Sequence, residues 1–232
     1  MSRFNFDLDT GPFAGPIADY EPSGLADMYE VLKDAQNSIQ AYSYYVPSAL
    51  QTEGYAGELL RSMDEGELAE ARIAIRIHRE HILAAAHVPR VAYLGAAALW
   101  SPESWFSRGV MLDQIDHIRT AVEADIEAEP KKSRLRVGLV PTELIKPLPN
   151  DVPPVTTLAP RDVRSVETKD GGTFILTNDD LSVDHVGRPG PRGAQALRNQ
   201  ARLGEWESMA VFGEDALTIL EERRTALLAE PS

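Results

Sequence analysis

The chain has 232 residues, 43% hydrophobic and 25% charged, with 36 acidic against 23 basic side chains for a formal charge of −13. That balance disfavours nucleic acid as a direct partner, because such binding depends on Lys and Arg neutralising phosphates; the absence of cysteine excludes disulfides, thiolate metal ligands and cysteine nucleophiles. No apolar run approaches the roughly 20 residues that span a bilayer, and the start, MSRFNFDLDTGPFAGP, has no apolar stretch behind basic residues and does not read as a secretory signal. The expectation is a cytoplasmic globular protein that does not engage a membrane and buries roughly 70–75% of its unfolded surface.

In chain order, residues 1–22 carry Pro12, Pro16 and Pro22 with Gly11 and Gly15, a composition that breaks helices and reads as an extended arm. Residues 23–232 read as a single domain. A helix is expected from Ser23, whose hydroxyl can cap the first amides, through GLADMYEVLKDAQNSIQAY. Leu25, Met28, Tyr29, Leu32, Ala35 and Ile39 make its apolar stripe. After Pro47, SALQTEGYAGELLRSM predicts a second helix, short and interrupted by glycines. DEGELAEARIAIRIHREHILAAA predicts a third, with acids at its start where they favour the helix dipole.

Residues 90–94 read as a strand, followed by a small-residue turn or helix start. SPESWFSRGVMLDQIDHIRTAVEADIEAE predicts a long helix capped by Ser101 or Ser104 and ended by Pro130, and SRLRVGLVP a short buried strand. Six prolines over 141–160 exclude regular structure there, and a loop of that length is usually functional or a linker. GGTFILTN and DLSVDHVG read as a hairpin. The tail over 191–229 reads as helical, with Met209, Phe212, Leu217, Leu220, Leu227 and Leu228 on its apolar face. Helices before, between and after a few strands imply a mixed α/β, or α+β, fold: a helix-rich single domain around a small sheet.

Several residue groups bear chemistry. Gln51, Thr52 and Tyr55 stand at a helix start, where they either satisfy open amides and pack, or form the polar wall of a pocket for a small molecule or peptide. Arg72, Arg76 and Arg79 fall on one face of the third helix. There they can grip a carboxylate or phosphate, at about 1.5–3 kcal/mol per charged hydrogen bond, or form solvated pairs with Glu67, Glu70 and Glu80. His78 and His81 are three apart on that helix, but His87, His117 and His185 supply no third ligand at a metal-site spacing, so no metal and no cofactor is expected.

Strand alternation sends Asp184 and His185 to opposite faces. If the chain is an enzyme, His185 is the candidate for acid–base work, and Tyr55 is a second candidate. The segment GRPGPRG over 187–193 lacks the phosphate-loop pattern, and its prolines remove amides such a loop needs, so it reads as a connector. Arg198 and Arg202 extend it into a small basic patch. There is no G-x-S-x-G elbow, and the sequence names no catalytic site.

The series SIQAYSYYVPSALQTEGYAGELL, ARIAIRIHREHIL, GVMLDQIDHI, LRVGLVP, GTFILTNDDLSVDHVG and EWESMAVFGEDALTILEERRTALL resembles, in order and spacing, the effector domain that follows helix-turn-helix modules in antitoxin-like actinobacterial regulators. Pro47, Leu50, Gln51, Thr52, Tyr55 and Ala56 match its first motif, Arg76 and Arg79 its second, Gln114 and Ile118 its third, and Val137 to Pro141 its fourth. Glu80 stands where the family has Gln, Gly57 where it has Arg, and Gly95 and Ala96 where it has an Asp-Glu pair after the first strand.

The resemblance implies a regulatory or interaction domain without its own DNA-binding module. Such a domain would bind a small cognate protein or a small-molecule ligand through Gln51, Thr52, Tyr55, Arg76 and Arg79, with a homodimer allowed. The alternatives are a stand-alone enzyme on the same fold, acting on a small natural-product-like molecule, and a structural or assembly protein.

Overall fold

The computed structural model describes residues 27, 30–32, 34–43, 45–61, 70, 73, 88–100, 106–128, 135–144, 163–177 and 182–229. The strands are β1 (Ala35–Ser43), β2 (Arg90–Gly95), β3 (Leu135–Val140), β4 (Val163–Thr168), β5 (Thr173–Thr177) and β6 (Ser182–His185). The helices are α1 (Glu53–Arg61), α2 (Ala97–Trp100), α3 (Arg108–Glu127), α4 (Pro191–Met209) and α5 (Gly213–Ala229). The strands join in one sheet of order β3-β2-β1-β4-β5-β6. β1, β2 and β3 run parallel, whereas β4, β5 and β6 follow on the other side of β1 as an antiparallel meander. The mixed α/β fold expected from the sequence is the one observed.

Parallel strands cannot be joined by a tight turn, so each step from β1 to β2 to β3 needs a crossover over one face of the sheet. Such crossovers are right-handed in nearly all proteins. Two steps in the same direction therefore place both connections on the same face. On that face Ala92 and Leu94 of β2 and Val137 and Leu139 of β3 pack against Tyr55 and Leu59 of α1, Met111, Ile115, Ile118 and Val122 of α3, and Leu220 and Leu227 of α5. Leu32, Ala35, Ile39, Val166 and Leu176 carry the same face over the antiparallel half.

The opposite face presents Tyr42, Tyr93, Val140, Val163 and Ile175 to Ala196, Leu203 and Trp206 of α4. Polar groups join in. Tyr42 Oη donates to Asn199 Oδ1 (3.5 Å) and Gln40 Nε2 to Glu207 Oε1 (3.4 Å). Burial, then the adjacent Glu207 carboxylate, holds the Tyr93 phenol protonated well above its ordinary range.

Four expectations change. The helix expected from Ser23 does not run to Tyr42: residues 30–32 are helical, but the chain turns at Asp34 and continues as β1. Ala35 and Ile39 are four apart, a spacing shared by a helix and by alternate positions of a strand. Pairing to β2 and β4 decides for the strand. The cap of α3 is Ser107, whose Oγ accepts from Val110 N–H (3.4 Å), and not Ser101 or Ser104. Directly after Pro141, residues Thr142–Leu144 form a 3-10 turn inside the segment expected to be irregular; the rest of 145–160 lies outside the described residues.

The tail is helical over Pro191–Met209 and Gly213–Ala229 but not between them. Between α4 and α5 the chain extends so that Val211 and Leu139 exchange amide hydrogen bonds of 2.8 and 2.9 Å. This covers part of the outer edge of β3. The next residue but one, Gly213, has φ 60° and starts α5 in a new direction. Strand β4 had no counterpart in the sequence reading. The arm over 1–22 and the third helix, apart from residues 70 and 73, which are helical, lie outside the described residues. Among the described residues no helix is long and apolar enough to cross a membrane.

The connector over 187–193 depends on glycine. Gly187 and Gly190 have φ of 87° and 102°, and Pro191 follows at the first turn of α4. A Cβ on Gly193 would lie 1.7 Å from the carbonyl oxygen of Arg188. That neighbour is backbone and cannot swing away, so Gly193→Ala is expected to destabilise the protein by about 3 kcal/mol. Chemical denaturation of the two proteins measures it, with Gly204→Ala as the control, since a Cβ there meets open space.

Candidate functional site

Three parallel strands end at one rim of the sheet. Ser43 of β1 is level with Leu94 of β2, and Gly95 with Val140 of β3. The loops that follow these strands therefore gather there, and β4 begins beside them, with Val163 opposite Tyr42. Between β1 and β4 the chain's direction of travel reverses: one side is built by crossovers, the other by the meander. Ligands of open α/β sheets bind outside the strand carboxyl ends at such a switch point.

The residues at this rim hold one another. Thr52 caps α1, its Oγ1 accepting from Tyr55 N–H (3.2 Å). Gln114 of α3 is fully buried and reaches across. Its Nε2 donates to Leu50 O (2.7 Å), and its Oε1 accepts from Thr52 N–H (2.9 Å) and Thr52 Oγ1 (3.3 Å). Gln51 Nε2 donates to Val46 O (2.6 Å), and Val46 N–H donates to Tyr55 Oη (3.4 Å). The Tyr55 ring is buried and stacks on Phe106 at 4.3 Å between centroids. Gln51, Thr52 and Tyr55 are thus brought together, with Tyr55 sealed inside and Gln51 and Thr52 half-buried.

Beside this knot lies a group that the sequence reading missed. Arg164 points from β4 to the helix-covered face and is only 2% exposed; its Nη2 donates to Ser48 Oγ at 2.6 Å, in the 3-10 turn Ser48–Leu50. Ser43 and Ser48 are buried with it. The signal was in VRSVET, whose alternation places an arginine on the side that also carries Val166. A buried guanidinium is planar, permanently charged and suited to two parallel hydrogen bonds with a carboxylate or phosphate.

The other sequence-predicted residues fall elsewhere. Arg72, Arg76, Arg79, His78, His81 and His87 lie outside the described residues. His185 sits on the edge strand β6, exposed, with its ring edge-on to Phe174 at 4.9 Å. Asp184 faces the other way and meets Arg192 of α4 at 3.9 Å. His185 and Tyr55 are therefore not neighbours. No three His, Asp or Glu groups among the described residues are placed to hold a metal ion.

At the opposite rim, by the amino end of β1, a shallow cavity of about 300 Å³ is lined by Glu30, Val31, Asp34, Thr168, Lys169, Asp170 and Phe174. It is formed around the β4–β5 turn. The Thr168 hydroxyl and then the Gly172 N–H bond to the Asp170 carboxylate and lower its pKa. These bonds serve the turn, so the cavity is a by-product of hairpin geometry with a polar lip.

Two outcomes follow from these contacts. Gln114→Leu keeps the volume but leaves the Leu50 carbonyl and the Thr52 amide without their partner, and is expected to lose about 2–4 kcal/mol in urea denaturation. Asp170 has a depressed folded-state pKa, so its contribution to stability is complete above the unfolded carboxylate value of about 3.9. That contribution disappears as pH falls through the lower folded value. Asp170→Asn should flatten the stability–pH curve in that acid window and leave it parallel to wild type at neutral pH, as thermal melts at stepped pH would show.

No curated protein and no solved structure matches this chain. The family described as Domain of unknown function (DUF5753) matches residues 25–186, which include β1 to β6 and the whole rim just described; the chain belongs to that family.

Proposed function

We propose that this chain is a regulatory domain of the kind that follows helix-turn-helix modules in antitoxin-like regulators, and that it binds a small acidic ligand at the carboxyl ends of β1, β2 and β3. The observation that carries this reading is the buried Arg164 guanidinium bonded to Ser48 at the switch point between β1 and β4. A charge is rarely taken out of water for packing alone, because its desolvation costs several kcal/mol. The position is also where open sheets receive ligands.

The order of motifs supports the regulator half of the reading. Gly95 and Ala96, standing where that regulator family has an Asp-Glu pair, end β2 at this same rim, with Ala96 N–H donating to Val140 O (2.8 Å). Two small residues in place of two carboxylates leave less negative charge at this rim, which favours an anionic ligand over a cationic one. Gln51, Thr52 and Gln114 fix the loop that presents Ser48. In this reading they are positioning residues, not ligand contacts.

The test is native mass spectrometry of the protein recovered from the organism that encodes it, followed by thermal melts with the acid that is found. At a ligand concentration of about 100 times Kd the wild type should melt roughly 5–10 °C higher. Ser48→Ala and Arg164→Lys should lose most of that shift while melting cooperatively on their own. A small protein bound at fixed stoichiometry, or a ligand whose shift is the same in both variants, would replace this reading.

A further inference from the structure

Helix α4 is 19 residues long and buries one stripe, from Gly193 to Trp206, against the sheet. Its outer side carries Ala194, Leu197, Ala201, Gly204 and Ser208, all exposed. They repeat at alternating spacings of three and four, the a and d positions of a heptad. Leu197 is 58% exposed, more than Ile126, Leu144 or Leu228. Along one flank of this stripe stand Arg198 and Glu205, seven residues apart and also exposed.

We propose that the outer face of α4 is a homodimer surface, on which two copies of this chain pair antiparallel about a twofold axis through Ala201. The charges choose the orientation. In an antiparallel pair centred on Ala201, Arg198 of each copy lies beside Glu205 of the other, giving two opposite-charge pairs on one flank. On the second flank Leu197 lies over Gly204 of the other copy, a knob against a position with no side chain. A parallel pair would leave Arg198 and Glu205 without each other. The face is therefore self-complementary in one arrangement, as a twofold interface must be.

Small residues at the centre let the helix axes approach to about 8 Å. In the single chain Arg198 donates to Gln195 Oε1 at 2.6 and 3.2 Å, a neutral acceptor on its own helix. A carboxylate from the second copy is the stronger acceptor. One helix pair covers less than the roughly 1,200 Å² of a standard stable interface, and two copies each of charge −13 repel at long range. The dimer is thus expected to be weak, with Kd on the order of micromolar at about 0.15 M salt.

Sedimentation equilibrium of the full chain tests this. Wild type should self-associate with concentration. Arg198→Glu and Glu205→Arg should each weaken that association at least about tenfold, because each sets like charges side by side twice. An equimolar mixture of the two variants should recover a dimer, since every cross pair is then opposite in charge. The chain has no cysteine of its own, so Ala201→Cys should oxidise to a linked dimer, while Glu222→Cys on the exposed side of α5 should not. A monomer at every concentration, or a dimer indifferent to both charge reversals and unlinked by Ala201→Cys, overturns the proposal.

Discussion

Everything in this fold hangs on β1, which is hydrogen-bonded along both edges, parallel to β2 and antiparallel to β4. A strand paired on both sides in these opposite senses obliges the chain to behave differently on its two flanks. Towards β2 it has to climb over a face and return to the start of the next strand; towards β4 and beyond it can turn back at once. The first requirement brings α1 and α3 to one face and aligns the ends of β1, β2 and β3 at one rim. The second leaves the other face to a helix supplied from the end of the chain, α4. The candidate site and the outer helix face are both products of that one asymmetry.

At the rim, the choice of an amide at position 114 has a chemical reason. Leu50 offers a carbonyl and Thr52 an amide N–H, one acceptor and one donor a short distance apart. A neutral amide answers both at once, with its donor and its acceptor on separate atoms, without carrying a charge into the core. A carboxylate would face the Leu50 carbonyl with no proton to give, and a lysine would leave Thr52 N–H unanswered. The matched motifs around Gln51-Thr52 and Gln114 are 62 residues apart in sequence, and this bond is why they belong to one structure.

Much of the fold was legible because its signals were local. The short apolar runs of RVAYLG and LRVGLV, the hairpin at TFILT and SVDH, and the cap at Thr52 each depend on neighbours within a few residues. What was missed depends on distant partners. Ala35 and Ile39 satisfied a helical spacing equally well, and only β2 and β4 resolve it. Position 211 looks helical until Leu139 is beside it. Arg164 went unremarked because charged side chains are mostly exposed: the alternation of VRSVET gives its side of the strand, and its bond to Ser48 in the 3-10 turn supplies the distant partner. Gln51, Thr52, Tyr55 and Gln114 each stand out in the letters, but that Gln114 reaches Thr52 and that Val46 bonds to Gln51 and Tyr55 is set by the fold.

The rim and the outer face of α4 lie on opposite sides of the sheet, and β1 is the element between them. Its alternate residues divide the labour: Ala41 stands across from Arg164, while Tyr42, one residue on, sends its hydroxyl to Asn199 of α4. A ligand could influence α4 only by rotating or sliding β1, and doing so would break ladder bonds on both edges of the strand together. Packed sheets resist such gradual deformation; coupling needs an element with two discrete arrangements that each ligand biases differently. A strand held in register by β2 and β4 is a poor candidate for that element, whereas the connections that leave the rim are free of the ladder. Regulation by a ligand at this rim should therefore be read out by what those connections contact, and pairing through α4 should supply a constant geometry on which that readout is built.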